Sequence, residues 1–131
     1  PGIPCIYYGS EWGAEGKKQD GDDALRPSFE QPIENDLTAR ITAMAQAHRE
    51  SRALCYGGFK QLVLTNKQCI WERETDGDRV LVAVNIDEQP YHAHFDARCG
   101  RAVDLITGEM HDFGGGSELP PYSAYFWKCE C

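Results

Sequence analysis

Few side chains in this 131-residue sequence stand at spacings that suggest chemistry by themselves. His92 and His94 alternate on one face of a candidate strand, a spacing that can present two imidazoles to a metal. No third ligand is visible, so exposed strand histidines are the favoured reading. Cys129-Glu130-Cys131 offers two thiols at the C-terminal end without a second close pair of ligands, a weak metal signal. No metal and no cofactor is expected. Asp22 and Arg26 stand four apart in a polar stretch, where the plain reading is a local ion pair. Trp12 offers an aromatic face, and packing against its own loop is preferred over stacking on a ligand. Glu11 beside it looks catalytic in isolation but reads better as a structural carboxylate, and His48 as a packing or half-exposed helix residue.

Six cysteines are present: Cys5, Cys55, Cys69, Cys99, Cys129 and Cys131. The even number invites disulfides. The chain is large for a disulfide scaffold, however, and several of the six sit in apolar runs. Unlinked, buried thiols in a reducing compartment are expected, which points to the cytoplasm.

The net charge is −8, from 21 acidic and 13 basic residues. A phosphate-binding surface needs the opposite sign, so nucleic acid is excluded as the expected partner. The acid is spread along the chain, with mild clusters at 20–23 and 72–78, and serves solubility. No apolar stretch is long enough to cross a bilayer, so no membrane is expected.

The elements that must position these groups fall into two parts. Residues 1–9 carry Ile3, Cys5, Ile6, Tyr7 and Tyr8 without alternation, the pattern of a parallel strand covered on both faces. A polar, Gly-rich loop follows over 9–33; loops of that length are usually functional. Asn35 or Asp36 can cap a helix in which Leu37, Ile41, Met44, Ala45 and His48 recur at helical spacing. It runs to about 51–54 and stops at Gly57-Gly58. Beyond it the period changes to two, with strands expected at 61–64, 69–75, 80–85, 91–95, 102–105 and 124–128. Short strands at that spacing predict an antiparallel β-sandwich. In 80–85, Val80, Val82 and Val84 share one face, with Leu81 and Ala83 on the other. The expected division is 1–56 and 57–131. A lone strand–helix unit cannot cover its own strand, which points to a larger parallel β/α domain beginning before Pro1.

The stretch GIPCIYYGSEWG resembles the eighth barrel strand of the α-amylase family, glycoside hydrolase family 13, at Gly2, Pro4, Ile6, Tyr7, Tyr8, Gly9, Glu11 and Gly13. DDALRP resembles the family's Asp-x-x-x-Arg segment at Asp22 and Arg26, and RESRALCYGGF its last barrel helix. VLVAVNID, AVDLITGE and LPPYSAYFW resemble strands of its C-terminal sandwich, domain C. The chain departs from the pattern at Asp23, where a proline is usual, and at Phe29, near an expected Trp. The resemblance implies a mainly β fold: an antiparallel sandwich preceded by the final β/α unit of a (β/α)8 barrel. It also implies retaining cleavage of α-glucosidic bonds, which uses two carboxyl groups about 5 Å apart. Those acids and a third Asp follow earlier barrel strands, before Pro1, so no catalytic residue is expected in this chain. The chain then corresponds to the C-terminal end of a longer enzyme acting on α-glucan or maltodextrin, with neopullulanases and cyclomaltodextrinases as the nearest branch. By the resemblance, Asp22 and Arg26 would hydrogen-bond a glucose unit away from the scissile bond; Trp12, ten residues before Asp22, is the candidate for stacking on a sugar face.

Two other readings compete. A stand-alone carbohydrate-binding sandwich would use Trp71, Trp127 or the tyrosines as a stacking platform, but gives residues 1–56 no purpose. An assembly module would pair copies through the apolar strand of residues 3–8, giving a homo-oligomer.

Overall fold

The computed structural model describes residues 2–130, which divide into two compact units, one running to Ala45 and the other starting at Gln46. In the second unit, β-branched alternation becomes sheet. Strand β1 spans Gly58–Leu64, β2 Gln68–Thr75, β3 Asp78–Asn85, β4 Tyr91–Ala93, β5 Arg101–Asp104, β6 Met110–Asp112, β7 Ser117–Leu119 and β8 Ser123–Cys129. Six of them form one sheet in the order β1-β2-β3-β8-β5-β6, and β4 pairs with β7 in a second. Every pairing is antiparallel. The turn Asp76-Gly77 joins β2 to β3, with Gly77 at φ 74°, a region in which a side chain would strain the backbone.

The central strand β3 is covered on both faces, as its sequence predicts. Leu81 and Ala83 pack with Ile70, Ala102 and Trp127, and with Ala93 and Leu119 from the two-stranded sheet. Val80 and Val82 face the other way, onto Ala53 and Leu54, with Trp71 and Phe126 alongside. This is a sandwich core on one side and a helix-covered sheet on the other.

Asn85 ends β3 and is 1% exposed. Its amide nitrogen lies 3.0 Å from each of the Gln89, Leu119 and Pro120 carbonyls, and its oxygen accepts from Gln68 Nε2 and the Asp87 N–H, both at 2.9 Å. A buried amide with this many partners fixes where the loops on either side begin. Asp104 does the same at the end of β5. Its carboxylate accepts from the Phe126 N–H at 2.8 Å and from the Thr107 N–H and hydroxyl at 3.0 and 2.9 Å.

The expected single helix is two helices. Helix α1, Asp22–Leu25, lies in the loop; α2 spans Asp36–Glu50 and α3 Arg52–Tyr56. Ser51 separates α2 from α3 with extended φ and ψ, and its hydroxyl accepts from the Leu54 N–H. The break has a tertiary cause. Asp78 Oδ2 accepts from the Ser51 hydroxyl at 2.9 Å and the Ala53 N–H at 2.8 Å, replacing helical partners. Burial pushes the Asp78 carboxyl up, but these two donors and Lys128 outweigh it and hold the carboxyl below its usual range.

In the first unit, the stretch expected to be a buried strand is not one. Residues 2–8 form no ladder, and Ile3, Ile6, Tyr7 and Tyr8 are exposed, Ile3 at 97%. Apolar run and strand propensity alone do not make a strand, since the backbone groups need a neighbouring strand to bond, and none of the described strands pairs with this one.

Candidate functional site

The loop after Tyr8 is built by a turn only glycine makes easily. Gly9 is buried at φ 86°, and a Cβ there would lie 3.0 Å from Ala14 and 3.2 Å from the Phe29 ring. Its carbonyl accepts from the Ala14 N–H at 2.8 Å, closing a tight turn over a 3-10 segment, Ser10–Trp12. Asn35 caps α2 by accepting from the Thr38 N–H at 3.1 Å, while its own N–H donates to Thr38 Oγ1 at 3.2 Å. The same two side chains hold the loop. Thr38 Oγ1 donates to the Glu11 carbonyl at 2.8 Å and Asn35 Nδ2 to the Trp12 carbonyl at 3.0 Å. A sequence-legible cap thus doubles as the clamp that positions Glu11 and Trp12.

Phe29 gathers the aromatic residues. Trp12 packs edge-on to it with ring centroids 5.0 Å apart, and Tyr8 at 6.1 Å. The Trp12 indole is half-buried in the loop, with its N–H buried and without an acceptor among the described residues, and Glu11 Oε2 is likewise buried and unpartnered. Asp22 and Arg26 flank α1, with Asp22 its first residue and Arg26 its C-cap. Both are exposed, and neither side chain bonds another described residue, so both carry full hydrogen-bonding capacity toward solvent or a ligand. A carboxylate and a guanidinium on one short exposed helix can together accept from and donate to vicinal hydroxyls.

In the second unit, a network that the sequence does not reveal lies under an open groove of about 550 Å³. Glu72 is buried; its Oε2 accepts from Arg79 Nε at 2.7 Å and Arg98 Nη2 at 2.5 Å, and Arg98 also bonds Glu74 at 2.9 Å. Burial raises the Glu72 carboxyl, but the two guanidinium hydrogen bonds outweigh it and keep it ionised below its usual range. Glu72 and Glu74 line the groove with Phe59, Lys60 and Asp76. The two guanidinium partners lie seven and twenty-six residues from Glu72, too far for any spacing rule to join them.

His92 and His94 do meet, T-shaped at 4.6 Å, and both are exposed; His92 Nε2 is 3.2 Å from the Gly115 carbonyl. Among the described residues no group of three or more His, Cys, Asp or Glu is placed to hold a metal. The Cys129-Glu130-Cys131 reading falls partly on Cys131, outside the described residues. The described thiols are not a uniformly buried set, since Cys5 is exposed and Cys55, Cys69 and Cys99 are half-buried, and only Cys129 is buried. Trp127 is no stacking platform. It is 2% exposed, sandwiched between Tyr125 and His111 at 5.1 and 4.3 Å, because β8 is an inner strand. Burial lowers the His111 imidazole against the opposing pull of Asp112, and its Nε2 lies 2.8 Å from the Ser117 hydroxyl. Trp71 is half-buried on the α3 side. No helix among the described residues is long and apolar enough to cross a membrane.

Comparison with known proteins agrees with this architecture. No family model matches the chain. It is 34% identical over 89 residues to a cyclomaltodextrinase of Bacillus sp., covering 66% of this chain and 16% of that protein. It is 30% identical over 118 residues to a cyclomaltodextrin glucanotransferase of Bacillus sp. (strain 6.6.3), covering 88% of this chain and 15% of that one. Among solved structures, the α-amylase of Geobacillus thermoleovorans complexed with acarbose superposes with a TM-score of 0.85 at 19% identity, over 100% of this chain and 30% of that one. AmyP in complex with maltotriose matches with a TM-score of 0.65 at 22% identity, over 72% of this chain and 21% of that one. The chain therefore spans about one sixth of the length of the curated relatives it matches. Likeness in sequence and in fold, over nearly all of this chain and a minor part of each relative, places it in the α-amylase family of glycoside hydrolases, as a C-terminal portion of that architecture.

Proposed function

We propose that this chain is the C-terminal part of an enzyme that cleaves α-glucosidic bonds in maltodextrins, of the cyclomaltodextrinase-like branch, and that the catalytic carboxylates reside elsewhere in a longer protein. The observation that carries this reading is the match of the whole chain to less than a third of an α-amylase chain. The carboxylates here support it. A retaining glycosidase needs one carboxyl with a raised proton affinity to act as acid. Glu72 and Glu74 stand together, but both are bonded to Arg98, and Glu72 is held ionised. The exposed Ile3, Ile6, Tyr7 and Tyr8 support it too, as a strand awaiting neighbours supplied by the preceding part of such an enzyme. In this reading residues 1–56 are the last barrel unit and 57–131 the sandwich. Asp22, Arg26 and Trp12 form part of the substrate rim, at the end of a barrel strand where active-site loops gather.

The purified chain is expected to show no turnover of cyclomaltodextrin or maltotriose. Turnover that disappears with Glu72→Gln or Glu74→Gln would overturn the assignment of the acids to another segment. Calorimetric titration with maltotriose tests the rim. Binding that weakens roughly fivefold or more in Asp22→Ala and Arg26→Ala supports it, since each removes a charge-assisted hydrogen bond; unchanged binding overturns it. Sedimentation of the chain with and without residues 1–9 distinguishes a strand reserved for its own enzyme, which leaves a monomer in both, from one that pairs two copies.

A further inference from the structure

We propose that Cys99 and Cys129 form an oxidation site, a dithiol that closes to a disulfide and staples the loop before β5 to the end of β8. Cys99 Sγ donates to Cys129 Sγ at 2.9 Å, across thirty residues of sequence. A bond length of about 2.05 Å is less than about 1 Å of closure away. Both backbones permit that closure. Cys129 stands opposite Ala102 in the β5–β8 ladder, so the strand holds it in place. Cys99 sits three residues before Ala102 in a bend outside the ladder, where Arg98 adopts φ 52° and Gly100 follows.

The surroundings favour the chemistry as well as the contact. Arg79 Nη1 donates to Cys129 Sγ at 3.3 Å, and a cationic donor on a sulfur stabilises negative charge there. Arg98 ties the neighbouring backbone to Glu72 and Glu74, which keeps Cys99 over its partner. Cys99 is half-buried and open to small oxidants, whereas Cys129 is buried. The other described thiols lack this arrangement. Burial raises the Cys69 thiol, and the Cys55 thiol is taken by the His48 carbonyl at 3.0 Å.

The oxidant is a small-molecule disulfide such as oxidised glutathione. The Cys99 thiolate attacks one of its sulfurs, the oxidant's S–S bond breaks, and one small thiolate leaves and takes up a proton. Cys129 then loses its proton to solvent and attacks Cys99 Sγ. The mixed disulfide breaks, and a second small thiolate leaves and is protonated. Two protein thiols give up two electrons, and one small disulfide becomes two thiols. This inference stands apart from the glucan reading and changes the expectation of unlinked thiols.

The experiment uses the whole chain carrying Cys131→Ser, because trypsin cuts after Lys128 and would otherwise leave Cys129 and Cys131 in one peptide. The chain is incubated natively with oxidised glutathione, freed of excess and analysed by mass spectrometry and thermal melting. Expected are the loss of two hydrogens, a link between peptides 99–101 and 129–131, and a rise in Tm of about 5 °C or more. Dithiothreitol reverses all three, and the partly exposed Cys99→Ser variant shows none of them. A stable glutathione adduct left on Cys99, a link to another cysteine, a link formed only in urea, or an unraised Tm would overturn the proposal.

Discussion

The two compact units differ in what holds them. From Gln46 onward, sheets cover one another and buried polar groups such as Asn85, Asp104 and Glu72 are bonded on several sides. Up to Ala45, Gly9 is the one buried residue among those described, and order comes from turns, a helix cap and the ring cluster at Phe29. The first unit keeps its shape by turns, a cap and a few hydrogen bonds and leaves Ile3, Ile6, Tyr7 and Tyr8 in solvent; the second keeps its shape by burial. Perturbations of comparable chemistry should therefore have very different consequences in the two.

Val82→Asp is the harshest test. Val82 is 3% exposed on the face of β3 toward α3, and a carboxylate there meets no cation. The loss should exceed about 4 kcal/mol and abolish the cooperative melt of the second unit. A melt within a degree or two of the parent would show that β3 is not the centre of the sandwich. Asn85→Ala comes next, with an expected loss of about 2–3 kcal/mol by chemical denaturation, because it leaves the buried Leu119 carbonyl and Gln68 amide without this partner and frees the part-buried groups around them.

The corresponding insult in the first unit is Gly9→Ala, which meets both a positive φ and the Phe29 ring. It should cost about 1–2 kcal/mol of local order. Faster hydrogen exchange at Ala14 and Thr38, with the melt of the second unit unmoved, would confirm that the units are stabilised separately; a shared fall in Tm would break the comparison. Acid should act on the second unit in two steps. The folded His111 has a proton affinity below its ordinary 6.5, so the unfolded chain takes up that proton first. Stability is then full above pH 6.5 and falls as pH drops through the folded value. Glu72 and Asp78, also lowered, add a further loss as pH falls below the carboxylate range of 4.5 to 3.8. Melting curves across this range check the steps, and His111→Gln should remove the upper one alone. The smallest effect belongs to Ile3→Ser, expected within about 0.5 kcal/mol, since a side chain 97% exposed has almost no burial to lose.

The strands at 69–75, 80–85 and 124–128 were legible within two residues because alternation and β-branching over short distances suffice to define them. Strands β6 and β7 were not. They are three residues each, one reading Met-His-Asp, and owe their existence to β5 and β4 beside them. At the candidate rim, Asp22 and Arg26 could be named from the motif and Trp12 from its aromatic face, whereas the Thr38 and Asn35 clamp on the loop could not, since its bonds span more than twenty residues.

By itself the sequence determined what nearest neighbours decide: a helix cap at Asn35 or Asp36, the Asp76-Gly77 turn, the two faces of β3 and the family to which these patterns belong. Only tertiary structure decided which distant groups meet. It broke the helix at Ser51 by bringing Asp78 to it, buried Trp127 between His111 and Tyr125, and gave Glu72 two guanidinium partners. It also set Cys99 against Cys129 and left residues 2–8 without a ladder. The physical reason is common to all of these. A local preference is fixed by a few bonds of backbone, while a hydrogen bond, a sulfur contact or a strand pairing across the chain exists only when the rest of the fold has closed the loop between its ends.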